Sequence, residues 1–445
     1  MVTDNASNMV LMRNKAVESG LSIMAYGCFA HVVNLLAKDV SKQSALQLGI
    51  KSAVTWSVFF RRCTRARSSL TNDRAVQRLA GVLIESPKSF SPTRWVGQSV
   101  VIRSYLSNLE ASRRVLAANR HNPTGFDVPD SVFSAVDQAA PASSAAVAAP
   151  VLRMLFRMSA SLEADASPLS AVVGLLSGFV VALRTGFPEL PESTRSYLVD
   201  RVHTRFASFG DPHVVLAFYL DPFFAPCRHV DDGALWGTRT LAGHRDAAIE
   251  RLAGDDVAFR NALIGDLGGY ITHVDSAAGV DGSPLHPATW WRLYGDSWPT
   301  LQVVATRLLS LACSSAGSER SFKTLGVVLS RTRNRTHDER VDRQWSVAFN
   351  SRQLNRVNAV AIYQRSRTEK EVVGLVRVAV AAAVAGAGAG GAPAGGSPAA
   401  EGDDDGDDDD EGDEDGGSGD EGGALEAEDI EAGAVDGEVN ILLAD

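Results

Sequence analysis

The acidic residues of this chain are not spread evenly along it. Between Glu401 and Asp445 there are 21 Asp and Glu residues and no Lys or Arg. A segment of that composition cannot bury enough apolar surface to offset the entropy of ordering its backbone, so disorder is expected there. The Ala- and Gly-rich stretch before it extends the expected disordered region to 370–445. Any packed structure is therefore sought upstream, where the charge changes sign. The formal charge is −10 overall, yet the first 400 residues hold 43 Lys and Arg against 32 Asp and Glu. A basic body of this kind suits nucleic-acid binding and equally suits an ordinary soluble protein. The tail reads as a solubilising extension, or as an electrostatic partner for histones and other basic proteins.

The remaining length allows two or three domains, and a hydrophobic share of 45% is enough for a packed core. No run of 18 apolar residues occurs, so no membrane-spanning helix is expected. Met1-Val2-Thr3-Asp4 opens without the basic and apolar regions of a signal peptide. Cys28, Cys63, Cys227 and Cys313 lie far apart, a spacing that suits reduced thiols better than a disulfide framework. Zinc needs four ligands. Cys28 with His31 and Cys227 with His229 form an unusual set, and a buried thiol beside a hydrogen-bonded histidine is the simpler reading.

Helical periodicity dominates the pattern. Val32, Leu35, Leu36 and Val40 share one face of a helix over 31–40, and 53–60 reads as a buried helix ending in Arg61-Arg62. Ile102, Tyr105, Leu106 and Leu109 mark another amphipathic helix. Residues 117–150, rich in Pro, Ala and Ser, read as loop. Stretches 172–183 and 247–271 lack strand alternation and read as helix. Pro222 reads as a helix stop and 274–287 as a linker. Further on, Leu301, Val304, Leu308 and Leu311 form an apolar stripe. Ser314 or Ser315 can cap a second helix to about Leu329, and Thr336 with Glu339 forms a capping box for a third, which carries Val341 and Trp345.

Three blocks recur in an order that resembles the hAT transposase superfamily. The first is VTDNASNM at 2–9 followed by YGCFAHVVNLLAKD at 26–39. The second is PTRW at 92–95. The third is WWRLYGDSWPTLQVVATRLLSLACSSAGSERSF at 290–322, with RTRNRT at 331–336. The resemblance spans roughly residues 1–355 and leaves out the tail. It implies an α/β but predominantly helical fold. A partial ribonuclease-H-like region at 1–100 would be interrupted by a helical insertion at 101–285 and closed by a C-terminal dimerisation region at 286–355.

The resemblance also implies roles. Asp4 matches the second of three carboxylates that bind two divalent metals, and Glu319 matches the last. Cys28 and His31 match a Cys-x-x-His motif near the active site. Trp95 matches a tryptophan that handles DNA at the cleavage site, and Arg94 beside it supplies a phosphate partner. Arg331, Arg333 and Arg335 suit the DNA backbone or a solvated turn. The third block implies Trp290, Trp291, Trp298, Leu301, Leu308, Phe322 and Trp345 as dimerisation residues. Its tryptophans and apolar stripe are most economically core. Without the resemblance, Asp4 reads as a turn residue and Glu319 as an acid favoured by a helix N-terminus.

Two-metal cleavage requires converging carboxylates, and hard Mg²⁺ prefers oxygen ligands. The chain begins three residues before Asp4, and the strand expected to carry the first acid is missing from it. The expectation is an N-terminally truncated, catalytically inactive, nuclear remnant that keeps its dimerisation activity. It would use no cofactor; Mg or Mn would return only with the missing part. The alternatives are an active transposase whose first part was lost in gene modelling, and a DNA- or chromatin-binding protein. The expected partners are a second copy, DNA and histones, with no membrane.

Overall fold

The computed structural model describes residues 2–3, 7–19, 24–79, 87–88, 95–122, 124–164, 166–228, 240–276, 285–328, 340–341, 343–347 and 366–387. All of these belong to one unit, Met1–Gly390; Gly391–Asp445 forms a second. The acidic tail and its expected disorder lie outside the described residues.

The fold is predominantly helical. Among the described residues, the strands are β1 (Val2–Thr3) and β2 (Tyr26–Gly27), which pair in parallel with Val2 opposite Tyr26, and an isolated antiparallel bridge joins Pro168 to Ala312. Parallel strands cannot be joined by a tight turn. Helix α1 (Ser7–Glu18) lies between them in sequence, and its Arg13 donates to the Thr3 hydroxyl at 2.5 Å.

The packed centre is built on α2 (Phe29–Lys42), α3 (Ser44–Arg62), α4 (Thr64–Leu79), α5 (Gln98–Arg120), α6 (Asp130–Asp137) and α7 (Ala139–Glu163). Helix α3 buries Leu46, Ile50, Ala53, Trp56 and Phe60 on one side. Helices α3 and α7 approach so closely at Gly49 that a Cβ there would collide with the Ala145 backbone nitrogen. The Ser144 hydroxyl seals the crossing by accepting from the Gly49 N–H at 3.0 Å and donating to the Ala45 carbonyl at 2.8 Å.

Helix α7 corrects the loop expected over 117–150. Alanine has the highest helix propensity, and Pro141 stands in the first turn, where its missing N–H is not needed, while Pro150 is carried inside the helix at the cost of one intrahelical hydrogen bond. The helix is long and apolar enough to cross a membrane. Here it packs on α2, α3 and α5, burying Val151, Leu152, Leu155 and Met158.

Helix α8 (Ala171–Thr185) is apolar all round and buried from Ala171 to Leu183. It is covered by α16 (Arg367–Ala387), a helix where disorder was expected from about residue 370. The correction has two causes. Ser366 and Glu369 form a reciprocal capping box, with bonds of 2.8 and 3.1 Å. Val372, Val373 and Val376 are buried, with Val372 seated against Gly178.

The polar ties are long-range. The buried carboxylate of Asp39 on α2 accepts two hydrogen bonds from Arg205 of α9 (Glu192–Phe209), at 3.1 and 3.2 Å. Asp211 caps α10 (Pro212–Tyr219) through the His213 N–H at 2.9 Å, and also bonds the His213 imidazole. Its other oxygen accepts from Arg251 of α11 (Leu241–Ala253) at 2.8 Å. Helix α11 ends at Gly254, whose φ of 53° lies in the left-handed region, and α12 (Val257–Ser276) follows. The helical stretch read over 247–271 is therefore two helices.

Two outcomes follow. Gly178→Val should force the stiff Val372 side chain away and destabilise the fold by about 1–3 kcal/mol, measurable by urea denaturation. Burial raises the Asp211 carboxyl, but the bonds and charge of His213 and the charge of Arg251 outweigh it, so it titrates below its ordinary value. A depressed folded value means this stabilisation is present above the ordinary carboxylate range and is lost as pH falls through the folded value. Asp211→Asn should keep the cap, lower stability by about 1 kcal/mol at neutral pH and flatten that part of the acid limb.

Candidate functional site

The first and third sequence blocks meet at the start of α2. Cys28 occupies the N-cap of this helix, and its N–H donates to the Thr3 carbonyl at 2.9 Å. The Tyr26 hydroxyl donates to the Ala312 carbonyl at 2.7 Å, and the Phe29 N–H to the Cys313 carbonyl at 3.2 Å. The Ser315 N–H reaches the Cys28 sulfur at 3.4 Å. Helix α15 (Ala316–Val328) begins there, with Glu319 in its first turn. Residues about 285 apart in sequence are thus joined by one main-chain pair and by the side chains of Tyr26 and Cys28 bonded to main-chain groups.

Glu319 is exposed, and its carboxylate accepts from the Ser315 hydroxyl at 3.1 Å. This is a favourable place for an acid, near the positive end of the helix dipole. Asp4 directly follows Thr3 in sequence and lies outside the described residues. Cys28 is buried and His31 half-buried one turn into α2. Trp95 opens a short 3₁₀ turn against α2, where the Val96 N–H donates to Asn34 at 3.3 Å. Arg94, the Trp95 side chain, Arg331, Arg333, Arg335, Thr336 and Glu339 lie outside the described residues.

Among the described residues, no three His, Cys, Asp or Glu side chains gather as metal donors. These residues alone do not fit a divalent ion, and no chemical step is derived through one. Burial pushes the Cys313 thiol up to about 12 and the Cys227 thiol likewise to about 12. Both are held protonated, far from the thiolate that nucleophilic chemistry needs. His229, the proposed companion of Cys227, lies outside the described residues.

A second constellation is aromatic. Helices α13 (Pro287–Tyr294) and α14 (Pro299–Leu308) fold back on α12. Tyr270 and Trp291 have ring centroids 4.6 Å apart, with Trp290 and Trp298 at 6.1 and 5.5 Å from Tyr270. The Trp291 indole N–H donates to the Leu220 carbonyl at 2.6 Å, and the Tyr270 hydroxyl donates to the same oxygen at 3.1 Å. Arg228 donates to that hydroxyl at 3.1 Å. Asp266 of α12 accepts from the Thr300 and Leu301 N–H groups at 2.9 and 3.1 Å, capping α14 from a neighbouring helix. Periodicity gave no hint of Asp266 or Leu220, because a cap supplied across space leaves no local signature.

Trp290, Trp291, Leu301 and Leu308 are buried, Trp298 is half-buried, and all belong to this chain's own core. Phe322 is 68% exposed, and the half-buried Trp345 donates to the Ser321 carbonyl at 3.2 Å. Leu293, Tyr294 and Val303 are exposed too.

Residues 270–350 match the family model for the hAT family C-terminal dimerisation region, which supports membership of the hAT family and a dimerising role. The match begins at Tyr270 and takes in the aromatic constellation, α14 and α15. No curated protein matches the chain.

Trp291→Phe should keep the ring contacts but remove the donor to the buried Leu220 carbonyl. The expected loss is about 1 kcal/mol in urea denaturation, since Tyr270 still serves that oxygen. Trp291→Ala should cost about 3–5 kcal/mol.

Proposed function

We propose that this protein is a hAT transposase derivative that acts by self-association through residues 270–350 and does not cut DNA. The observation that carries this reading is the match of that region to the hAT dimerisation model, over residues whose aromatic core is fully built. The buried tryptophans shape the platform. Among the described residues, its exposed apolar side chains Leu293, Tyr294, Val303, Phe322 and Val347 are placed to meet a second copy. Exposed apolar groups of this size favour association.

A ribonuclease-H-like ancestry for the first block is supported by the parallel pairing of β1 with β2 around α1. It is supported further by the approach of the Glu319 segment to Thr3 and Cys28. The same approach favours the second reading, an active transposase, because it brings Glu319 towards the sequence neighbour of Asp4. Inactivity is proposed from the sequence reading alone, since Asp4 lies outside the described residues. DNA binding and action in the nucleus are proposed from the resemblance.

Light scattering coupled to size exclusion tests the main reading. The full chain should elute at twice its mass of 47.3 kDa, and Phe322→Glu should shift it towards monomer. A monomeric mass at every concentration would overturn self-association. Incubation with Mg²⁺ or Mn²⁺ and hairpin-forming DNA should leave the DNA intact; robust cleavage that is lost in Glu319→Gln would establish the second reading instead.

A further inference from the structure

The solvent face of α3 carries an unusual line of side chains. Leu48, Lys51, Thr55, Val58 and Arg62 alternate by three and four residues. At 100° per residue they fall within an arc of about 80°, along about 21 Å of helix. Leu48 is 48% exposed and Val58 41%, and Lys51 and Arg62 are exposed. The opposite face, with Ile50, Ala53, Trp56 and Phe60, is fully engaged in the core.

Along this stretch of sequence the charge is one-sided. From Ser44 to Asn72 there are five basic residues, the others being Arg61, Arg65 and Arg67, and no acid. The next acid, Asp73, is held by Arg114 through two hydrogen bonds of 3.0 and 2.7 Å.

We infer that this face of α3 is a docking strip for an acidic amphipathic helix of another protein. Leu48 and Val58, ten residues and about 15 Å apart on this line, offer two apolar contacts to a partner helix laid along it, and the flanking basic charges select a partner of the other sign. A nucleic-acid backbone would use the bases but gain nothing from Leu48 and Val58. The strip lies outside residues 270–350 and does not depend on self-association.

The test uses the full chain and three fluorescent probes, read by anisotropy. One is a synthetic peptide with leucine at the heptad seam and glutamate flanking it. The second is the same composition scrambled, and the third is a DNA duplex. The heptad peptide should bind at least about 10-fold tighter than the scrambled one. Leu48→Ser with Val58→Ser should weaken it by about 10-fold, as expected from removing two apolar side chains from an interface. Lys51→Glu with Arg62→Glu should weaken it at least as much, while the matched charge change Arg153→Glu with Arg292→Glu should leave it unchanged. All four altered positions of the strip are on the surface, so circular dichroism and thermal melting should match the parent. The inference is overturned if the heptad peptide does not bind, if binding survives both strip variants, or if the scrambled peptide or the duplex binds as tightly.

Discussion

The Leu220 carbonyl sits at the end of α10 in a dry interior and needs a donor, because an unpaired buried acceptor costs about 1–3 kcal/mol. It has two, the Trp291 indole and the Tyr270 hydroxyl. Those groups come from α13 and α12, so this one oxygen ties the region matching the hAT dimerisation model to the helices before it. Arg228 lies over the Tyr270 ring with its guanidinium carbon 5.2 Å from the centroid and bonds its hydroxyl. Asp266 then sets the direction of α14. The surface available for self-association is thus an outcome of polar satisfaction inside the chain.

The two ends of the fold are joined by a different device. At the N-cap of α2, the Thr3, Ala312 and Cys313 carbonyls and the Ser315 N–H take up the hydrogen-bonding groups of residues 26–29. This junction uses the Tyr26 hydroxyl and the Cys28 sulfur as well as main-chain groups, and no carboxylate takes part in it. It can preserve a geometry after the chemistry of a site has changed, because the contacts do not rely on the acids. Glu319, turned to Ser315 and solvent, is accommodated as a helix-end acid whether or not it once held a metal.

Much of the helical layout was legible because it rests on local rules. The period of α2 and α5, the stop before Pro222 and the start of α15 after Ser315 all stand near where the residues place them. Two misreadings had local causes. Pro and Ser within an Ala-rich run suggested loop over 117–150, yet Pro141 sits where a helix tolerates it. The Ala/Gly composition after Arg367 suggested disorder and hid the Ser366–Glu369 capping box. The ties Asp39–Arg205 and Asp211–Arg251 were beyond local reading, as was the meeting of the motif blocks, because each joins residues far apart in sequence. The motif residues could be picked out one by one, but only the fold shows that the tryptophans face inward and Phe322 outward.

Hydrogen–deuterium exchange of the full chain across a range of protein concentrations tests most directly whether residues 270–350 are the self-association unit. Amides around Leu293, Val303 and Phe322 are predicted to gain protection as concentration rises, while those of α3 and α5 stay constant. Exchange that is independent of concentration throughout, or protection confined to helices outside 270–350, would contradict the account.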